Sequence, residues 1–238
     1  MQELRETWVY LSASPLLHLT LTLAAFVLAS FLYRKAGLNP LLNPVLLSVV
    51  VIVALLSLSH TSYDTYFDGA RFVHFLLGPA TVALAIPLYR QFDRVRESAL
   101  AILVSLVCGS VTSAASAIAI AWALGAQPQS IISLAPKSVT APVAMGISEQ
   151  LGGIPSLTAV LVILTGIVGA TLGPLVLNAL GVRDWSARGL AIGTASHGIG
   201  TARALQVDEL AGAFSGLAMG LNALATAILL PLAWRLFF

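Results

Sequence analysis

The sequence predicts an all-α integral membrane protein with about six full spans and two interrupted re-entrant helical hairpins, an arrangement compatible with an inverted repeat. Of its 238 residues, 58% are hydrophobic and only 9% are charged, whereas a soluble domain carries about 25% charged residues. Six apolar runs have the length that crosses a bilayer, roughly 20 residues each. Two more segments are only half apolar and contain proline, glycine, hydroxyl and charged residues.

The six apolar runs follow one another along the chain at residues 15–33, 41–58, 72–89, 98–124, 157–180 and 210–234. The third run contains Gly78 and Pro79 in succession. Proline removes a helical hydrogen bond, so this run is expected to kink or break, and both residues are gating candidates. The polar stretch before this run, which includes Asp64, Asp68 and Arg71, is expected to be a solvated loop.

Basic residues in short loops indicate the orientation, because cytoplasmic loops are enriched in lysine and arginine. Three basic groups fall on the same side of the membrane only if each half-apolar segment returns to the face from which it entered. These groups are Arg34 with Lys35, Arg90 with Arg94 and Arg96, and Arg183 with Arg188. The charges therefore favour two re-entrant segments that enter from opposite faces.

The same pattern predicts how the chain is organised. We expect one membrane domain overall, with N-terminal scaffold spans at residues 1–97 and a transport-type core at residues 98–238. The two broken segments of that core are expected at residues 131–152 and 189–208.

The first interrupted segment combines a helix break with a cation. Thr140 suits an N-cap and Pro142 suits the first helical turn, so a half-helix is expected to begin there at depth in the membrane. Its free N–H groups and its dipole would attract an anion. Lys137, Ser138 and Thr140 are therefore candidate substrate-binding residues, and Pro142 is a gating candidate. The alternative places Lys137 in a surface loop between two short interfacial helices.

The second interrupted segment carries a histidine and an arginine in apolar surroundings. Its glycines at 198 and 200 permit an unwound backbone, and ionisable groups inside a membrane are functional candidates by default. The alternatives are that the histidine bonds a neighbouring carbonyl group and that the arginine extends to the membrane interface. The candidate substrate-binding residues of this segment are Ser196, His197, Gly198, Thr201 and Arg203.

The residues favour transport over catalysis. The sequence contains no HExxH, GxSxG, P-loop or CxxC motif, so no enzyme activity, cofactor or metal site is expected. The net charge is only +2 and the basic residues are scattered, which argues against nucleic acid as a partner. The polar breaks predict passage of a small carboxylate anion, coupled to protons through His197 or Glu149, or to sodium. Glu149 has the alternative interpretation of a plain helix-end charge.

Three stretches of the chain resemble the LrgB/CidB family, and they lie at residues 75–85, 134–144 and 195–204. The strings Lys-Ser-Val-Thr-Ala-Pro at 137–142 and Ser-His-Gly-Ile-Gly-Thr at 196–201 are the most specific of them. The likeness extends from about residue 40 to residue 231.

The resemblance implies two classes of function. Members of the family are described as antiholin-like proteins linked to murein hydrolase activity and autolysis, and they are commonly paired with a smaller LrgA/CidA-type membrane partner. A plant-plastid relative exchanges glycolate and glycerate, and some bacterial relatives are associated with pyruvate uptake. The resemblance therefore implies a multi-pass secondary transporter of small monocarboxylates in the lipid bilayer of the bacterial inner membrane. We expect this transporter to form homo-oligomers. The alternative is an antiholin-like regulator of murein hydrolase activity and autolysis, or a pore component.

Overall fold

The structure is a computed structural model that describes residues 15–37, 42–83 and 85–237. All regular secondary structure in these ranges is helical, and it comprises twelve helices. The predicted all-α class is therefore confirmed. The chain divides into two compact units, residues 1–83 and 84–238. The division predicted between residues 97 and 98 concerns function and stays a prediction.

The helices are numbered in chain order. In the first unit, the described residues form α1 (Pro15–Lys35), α2 (Pro44–Ser59), α3 (Tyr63–Phe75) and α4 (Leu77–Ala83). Those of the second unit form α5 (Ala85–Arg90), α6 (Phe92–Glu97), α7 (Ala99–Ala123), α8 (Pro128–Leu134), α9 (Ala141–Gln150), α10 (Pro155–Ala179), α11 (Trp185–Val207) and α12 (Glu209–Phe237).

Among the described residues, four helices are long and apolar enough to cross a membrane. These are α1, α7, α10 and α12, whose apolar stretches are 21 to 28 residues long. No more than 33% of the most apolar window in each is buried within the protein, so most of these side chains face outward, as contact with lipid requires. The helix α2 is apolar but has only 16 residues. The chain is therefore a membrane protein, and the count of six spans stays a prediction.

The predicted break in the third apolar run is present. α3 ends at Phe75 and α4 begins at Leu77, so that Pro79 falls in the first turn of α4. The first turn is where a missing N–H costs least, since those N–H groups have no helical partner. The run is shared among α3, α4 and α5 and does not form one long helix.

The polar stretch before this run is a helix, and its prediction as a loop was wrong. Asp68 and Arg71 lie on the exposed face of α3 and form an ion pair at 2.6 Å. The hydroxyl oxygen of Ser62 accepts a hydrogen bond from the N–H of Thr65 at 3.3 Å, and Asp64 lies in the first turn. An N-cap and an acidic first turn both stabilise a helix start, which composition alone does not reveal.

In the second unit, the described contacts fix the relative directions of the long helices. Ser110 of α7 bonds Thr226 of α12, and Ala114 packs on the cluster that contains Leu230. The residue numbers of the contacting pairs rise together along the two helices, so α7 and α12 run parallel. Along α10 the order is opposite, because Gly166 meets His197 and Gly173 meets Ile192 of α11. α10 is therefore antiparallel to the first part of α11. That part runs parallel to α12, as the Gly189–Ala211 and Gly193–Ser215 contacts show. It follows that α10 is antiparallel to α12 and to α7.

Candidate functional site

The first break lies between α8 and α9, where the sequence predicted it. α8 ends at Leu134, residues 135–140 are not helical, and α9 begins at Ala141. Thr140 is the N-cap with extended backbone (φ −63°, ψ 146°), and Pro142 occupies the first turn. The hydroxyl of Thr140 makes no capping hydrogen bond. The new helix therefore starts with polar N–H groups and a positive dipole end directed at the break.

This break is embedded in the protein. Ala135 and Val139 are each 1% exposed, and Ser138 is also buried. Lys137 is half-buried between them, and its ammonium nitrogen donates to the Ser113 hydroxyl oxygen of α7 at 3.3 Å. A surface loop would not bury its backbone on both sides of a lysine, so the alternative interpretation of Lys137 is disfavoured.

The second break falls at His197, within α11. The backbone of His197 has φ 42° and ψ −135°, which divides α11 into two halves. The prediction that the backbone unwinds at Gly198 and Gly200 was wrong. Both glycines lie in the second half, and Gly200 serves a different purpose: a Cβ there would lie 2.6 Å from the Ser196 Cβ and 2.8 Å from the Ile192 Cγ2. The glycine thus lets the second half pack against the first.

The chain reverses its direction at His197. In the first half, contacts with α12 advance in step, from Gly189 with Ala211 to Gly193 with Ser215. In the second half they run in opposite order. Gly198 approaches Met219 and Gly212 meets Leu205, while Thr201 bonds Ser215. The first half is therefore parallel to α12 and the second half antiparallel to it, so α11 is a helical hairpin whose tip is His197.

The side chain of His197 anchors this tip. It is 5% exposed, and its Nε2 lies 2.9 Å from the carbonyl oxygen of Val162. A carbonyl oxygen only accepts, so Nε2 carries the proton in this bond. A Cβ at Gly166 would lie 2.7 Å from the His197 Cε1, so the imidazole needs a glycine on α10. The structure thus shows the carbonyl bond that the sequence offered as an alternative role for His197.

The hydroxyl groups beside His197 are used in two different ways. Ser196 is 1% exposed and its Oγ, which contacts Gly169 closely, has no hydrogen-bond partner among the described residues. Thr201 donates to the carbonyl oxygen of His197 at 2.8 Å and bonds Ser215 at 2.9 Å. Thr201 therefore closes the first turn of the second half.

Sequence reasoning missed Asn222, which joins the two breaks. Asn222 lies on α12 and is 0% exposed. Its side-chain nitrogen donates to the carbonyl oxygen of Ser138 at 3.3 Å and to that of Thr194 at 3.0 Å. Ser138 belongs to the first break and Thr194 to the last turn before the second. An asparagine inside a long apolar run was the available signal, because buried polar groups in a membrane need partners.

α7 passes both breaks on one face. Ser113 accepts from Lys137 of the first break. One turn away, a Cβ at Gly109 would lie 3.1 Å from the Thr194 Cγ2, close to the second break. Asn222 and α7 thereby connect the first break, through Lys137 and Ser138, to Thr194 in the half-helix that leads to His197.

Other predicted residues lie further along the chain from the two breaks. Arg203 is half-buried but lies about 9 Å along the helix from His197, at ~1.5 Å rise per residue. Glu149 is exposed near the end of α9, about 13 Å along the helix from Thr140 on the same count. The ring of Pro142 is exposed. Gly78 and Pro79 belong to the other unit, and their gating role stays a prediction.

The assembled centre can bind an anion. It offers one ammonium group, hydroxyl groups, and the positive ends of two half-helices that start from the two breaks. No acidic side chain is among the residues that form it. Within the described parts of the chain, no three His, Cys, Asp or Glu residues could hold a metal ion together.

Comparisons with known proteins agree with the resemblance seen in the sequence. The model of the LrgB-like family matches residues 22–236. The chain is 41% identical to the Bacillus subtilis protein YxaC over 217 residues, which is 91% of this chain and 94% of that protein. It is 34% identical to the Holin-like protein CidB of Staphylococcus epidermidis over 229 residues, or 96% of this chain and 99% of the relative.

A second Holin-like protein CidB, from Staphylococcus aureus, is 33% identical over 223 residues, which is 94% of this chain and 97% of the relative. No solved structure matches the chain. The family match covers both helix breaks and the helices that hold them. The chain therefore belongs to the LrgB-like family.

Proposed function

We propose that the protein is a secondary transporter that carries a small monocarboxylate anion, of the glycolate, glycerate or pyruvate type, across the bacterial inner membrane. The observation that carries this proposal is the meeting of two broken helices at one buried centre beside Lys137. Irregular backbone at membrane depth is tolerated only where protein or a water-filled cavity surrounds it. Broken helices of this kind form the substrate sites of many transporters.

The directions of the helices support an inverted repeat. α7 is followed by the α8–α9 hairpin, and α10 is followed by the α11 hairpin. α7 and α10 run antiparallel, so the two hairpins enter the membrane from opposite faces in the proposed arrangement. Repeats of this kind place the substrate near the bilayer midplane, where one repeat can move against the other.

The charges favour an anion of small size. Lys137 brings a positive charge to a centre formed without an acidic side chain, and each half-helix start contributes a partial positive charge. A single carboxylate could accept from the ammonium group and from backbone N–H groups at once. A substrate with several negative charges would find only one lysine to balance them.

An ion gradient would supply the energy for transport in the proposed function. Coupling to protons would use His197, the titratable group at the tip of the second hairpin, or Glu149 at the end of α9. Coupling to sodium would use the carbonyl oxygens of the breaks. The proposed assembly is a homo-oligomer, with an LrgA/CidA-type protein as a partner.

A second candidate function rests on the names of relatives. Two relatives that match nearly the whole chain are called Holin-like protein CidB. On that basis the protein would be a pore component or a membrane regulator of murein hydrolase activity. A pore needs no cation at its midplane, so the buried surroundings of Lys137 favour the transporter.

The two functions differ in saturation. The purified protein is placed in liposomes, and uptake of labelled glycolate, glycerate and pyruvate is measured with proton, sodium and no gradients, alongside release of a trapped fluorescent dye. A transporter gives uptake that saturates with substrate and retains the dye. Dye release without saturation supports the pore, and neither signal in any gradient contradicts transport by this chain alone.

A further inference from the structure

The amide of Asn222 donates hydrogen bonds to both helix breaks. We infer that Asn222 is a positioning residue that fixes the spacing of the two breaks, and through it the geometry of the anion site. The part of this inference that concerns transport rests on the proposed function. The part that concerns spacing does not depend on it.

The chemistry of the amide suits this role. An asparagine side chain has two N–H donors on one nitrogen. One donor is directed to Ser138 at 3.3 Å and the other to Thr194 at 3.0 Å. A hydroxyl has a single donor and an ionised carboxylate has none, so neither could hold both carbonyl groups. Carbonyl groups at the end of a helix need a donor from outside that helix.

The position of Asn222 is itself held. Its side-chain oxygen accepts from the Thr226 hydroxyl at 3.5 Å, and Thr226 bonds Ser110 of α7 at 3.1 Å. The residue is fully buried. α7 also carries Ser113, the partner of Lys137. The amide is thus connected to the helix that contacts Lys137, the cation proposed to bind the substrate.

This arrangement has a consequence for movement. One hairpin cannot shift against the other without breaking at least one of the two bonds of Asn222. Its loss should therefore broaden or shift the distance between the hairpins and change substrate affinity more than the maximal rate. A residue that only stabilised the fold would lower the amount of folded protein without moving the spacing in the protein that remains folded.

The spacing can be measured directly. Cys108 is the sole cysteine of the sequence, so Cys108→Ser gives a cysteine-free chain for spin labelling. Labels are attached through Gly146→Cys on α9 and Ala202→Cys in the second half of α11, both exposed positions. Distances between the labels are measured by pulsed electron paramagnetic resonance in lipid nanodiscs, for the native residue, Asn222→Ala and Asn222→Gln.

Thr158→Val is the matched control. Thr158 is also 0% exposed and donates to the Ser148 hydroxyl at 2.8 Å, but it contacts neither break through that bond. We expect the native distance distribution for Thr158→Val. For Asn222→Ala we expect a broader distribution and a KM raised about tenfold or more, as loss of one or two buried hydrogen bonds implies.

The conservative variant keeps the test decisive. Asn222→Gln retains both donors on a longer stem, so it should shift the distance without broadening it, and it decides the question if Asn222→Ala fails to fold. Native distances in the folded Asn222 variants would overturn the inference. If the native chain carries no substrate, the proposed function fails, while the distances still decide whether Asn222 positions the breaks.

Discussion

The Nε2 of His197 lies 2.9 Å from the carbonyl oxygen of Val162, in the first half of α10. The side chain of Val162 belongs to the buried cluster that contains Val139, within the first break, and Ala144, in the helix that follows it. Val162 therefore holds one break with its backbone and the other with its side chain. α10 thus fixes both interruptions from one point, and Asn222 fixes them from the opposite helix.

The backbone of His197 leads to a prediction about stability. A φ of 42° with ψ −135° is readily adopted by glycine and costs other residues about 1–3 kcal/mol. His197→Gly and His197→Ala both remove the imidazole, but only alanine keeps the strain. We expect His197→Gly to be the more stable of the two by about 1 kcal/mol, measured as thermal unfolding in detergent.

The control for this prediction is Ala202→Gly, at an exposed position in the regular part of α11. There glycine should be the less stable residue by about 0.5–1 kcal/mol. If alanine proved better than glycine at position 197 as well, the positive φ would be wrong.

A methyl group on α10 should displace the tip of α11. At Gly166 an added Cβ would meet the His197 ring at 2.7 Å, so Gly166→Ala should cost about 1–3 kcal/mol by overpacking. Hydrogen exchange should rise at residues around the break, because the Val162 bond is lost. Gly146→Ala is the matched control, since nothing lies within 4 Å of a Cβ there. Equal stability of the Gly166 variant and the native chain would contradict the close contact.

The stability of the N-terminal end of α11 should depend on pH. A side-chain hydrogen bond from Ser186 and the N–H of Ala187 lower the pKa of Asp184 below its ordinary value of 3.8. The carboxylate caps the helix. A lowered pKa means that the stabilisation is present above the ordinary value and is lost as the pH falls through the folded pKa.

We therefore expect Asp184→Ala to lower stability by about 1 kcal/mol at pH 7, with the difference shrinking below about pH 4. Asp184→Asn should lose much less, because an asparagine oxygen also accepts from the cap N–H. Thermal unfolding at pH 7 and pH 3 tests this. A difference between the native and alanine proteins that stays constant over this range would show that the carboxylate does not cap α11.

Local features of the sequence were enough to place the first break. Thr140 and Pro142 define a helix start by their own backbone preferences, and the structure has them in those positions. The break in α11 was predicted to lie in the right segment but at the wrong residues. A histidine with positive φ is held by contacts with Val162 and Gly166 of another helix, and no local preference predicts such contacts.

Asn222 shows the limit of reading a single sequence. Its partners lie 84 and 28 residues away along the chain. An asparagine in an apolar run indicates that a buried partner exists, but only the packing of the helices identifies it. The loop prediction was wrong for residues 63–71 for another reason, because composition does not reveal the N-cap at Ser62 that starts α3.

We expect Lys137 to bind the transported anion at the meeting point of the two breaks. The most direct test is uptake of labelled glycolate, glycerate and pyruvate into liposomes that contain the native chain, Lys137→Ala or, as a control, Arg183→Gln, which changes an exposed loop cation. We expect saturable uptake by the native and control proteins, and a loss of about tenfold or more in kcat/KM for Lys137→Ala, as removal of a buried charge contact implies. Native uptake by Lys137→Ala would contradict it.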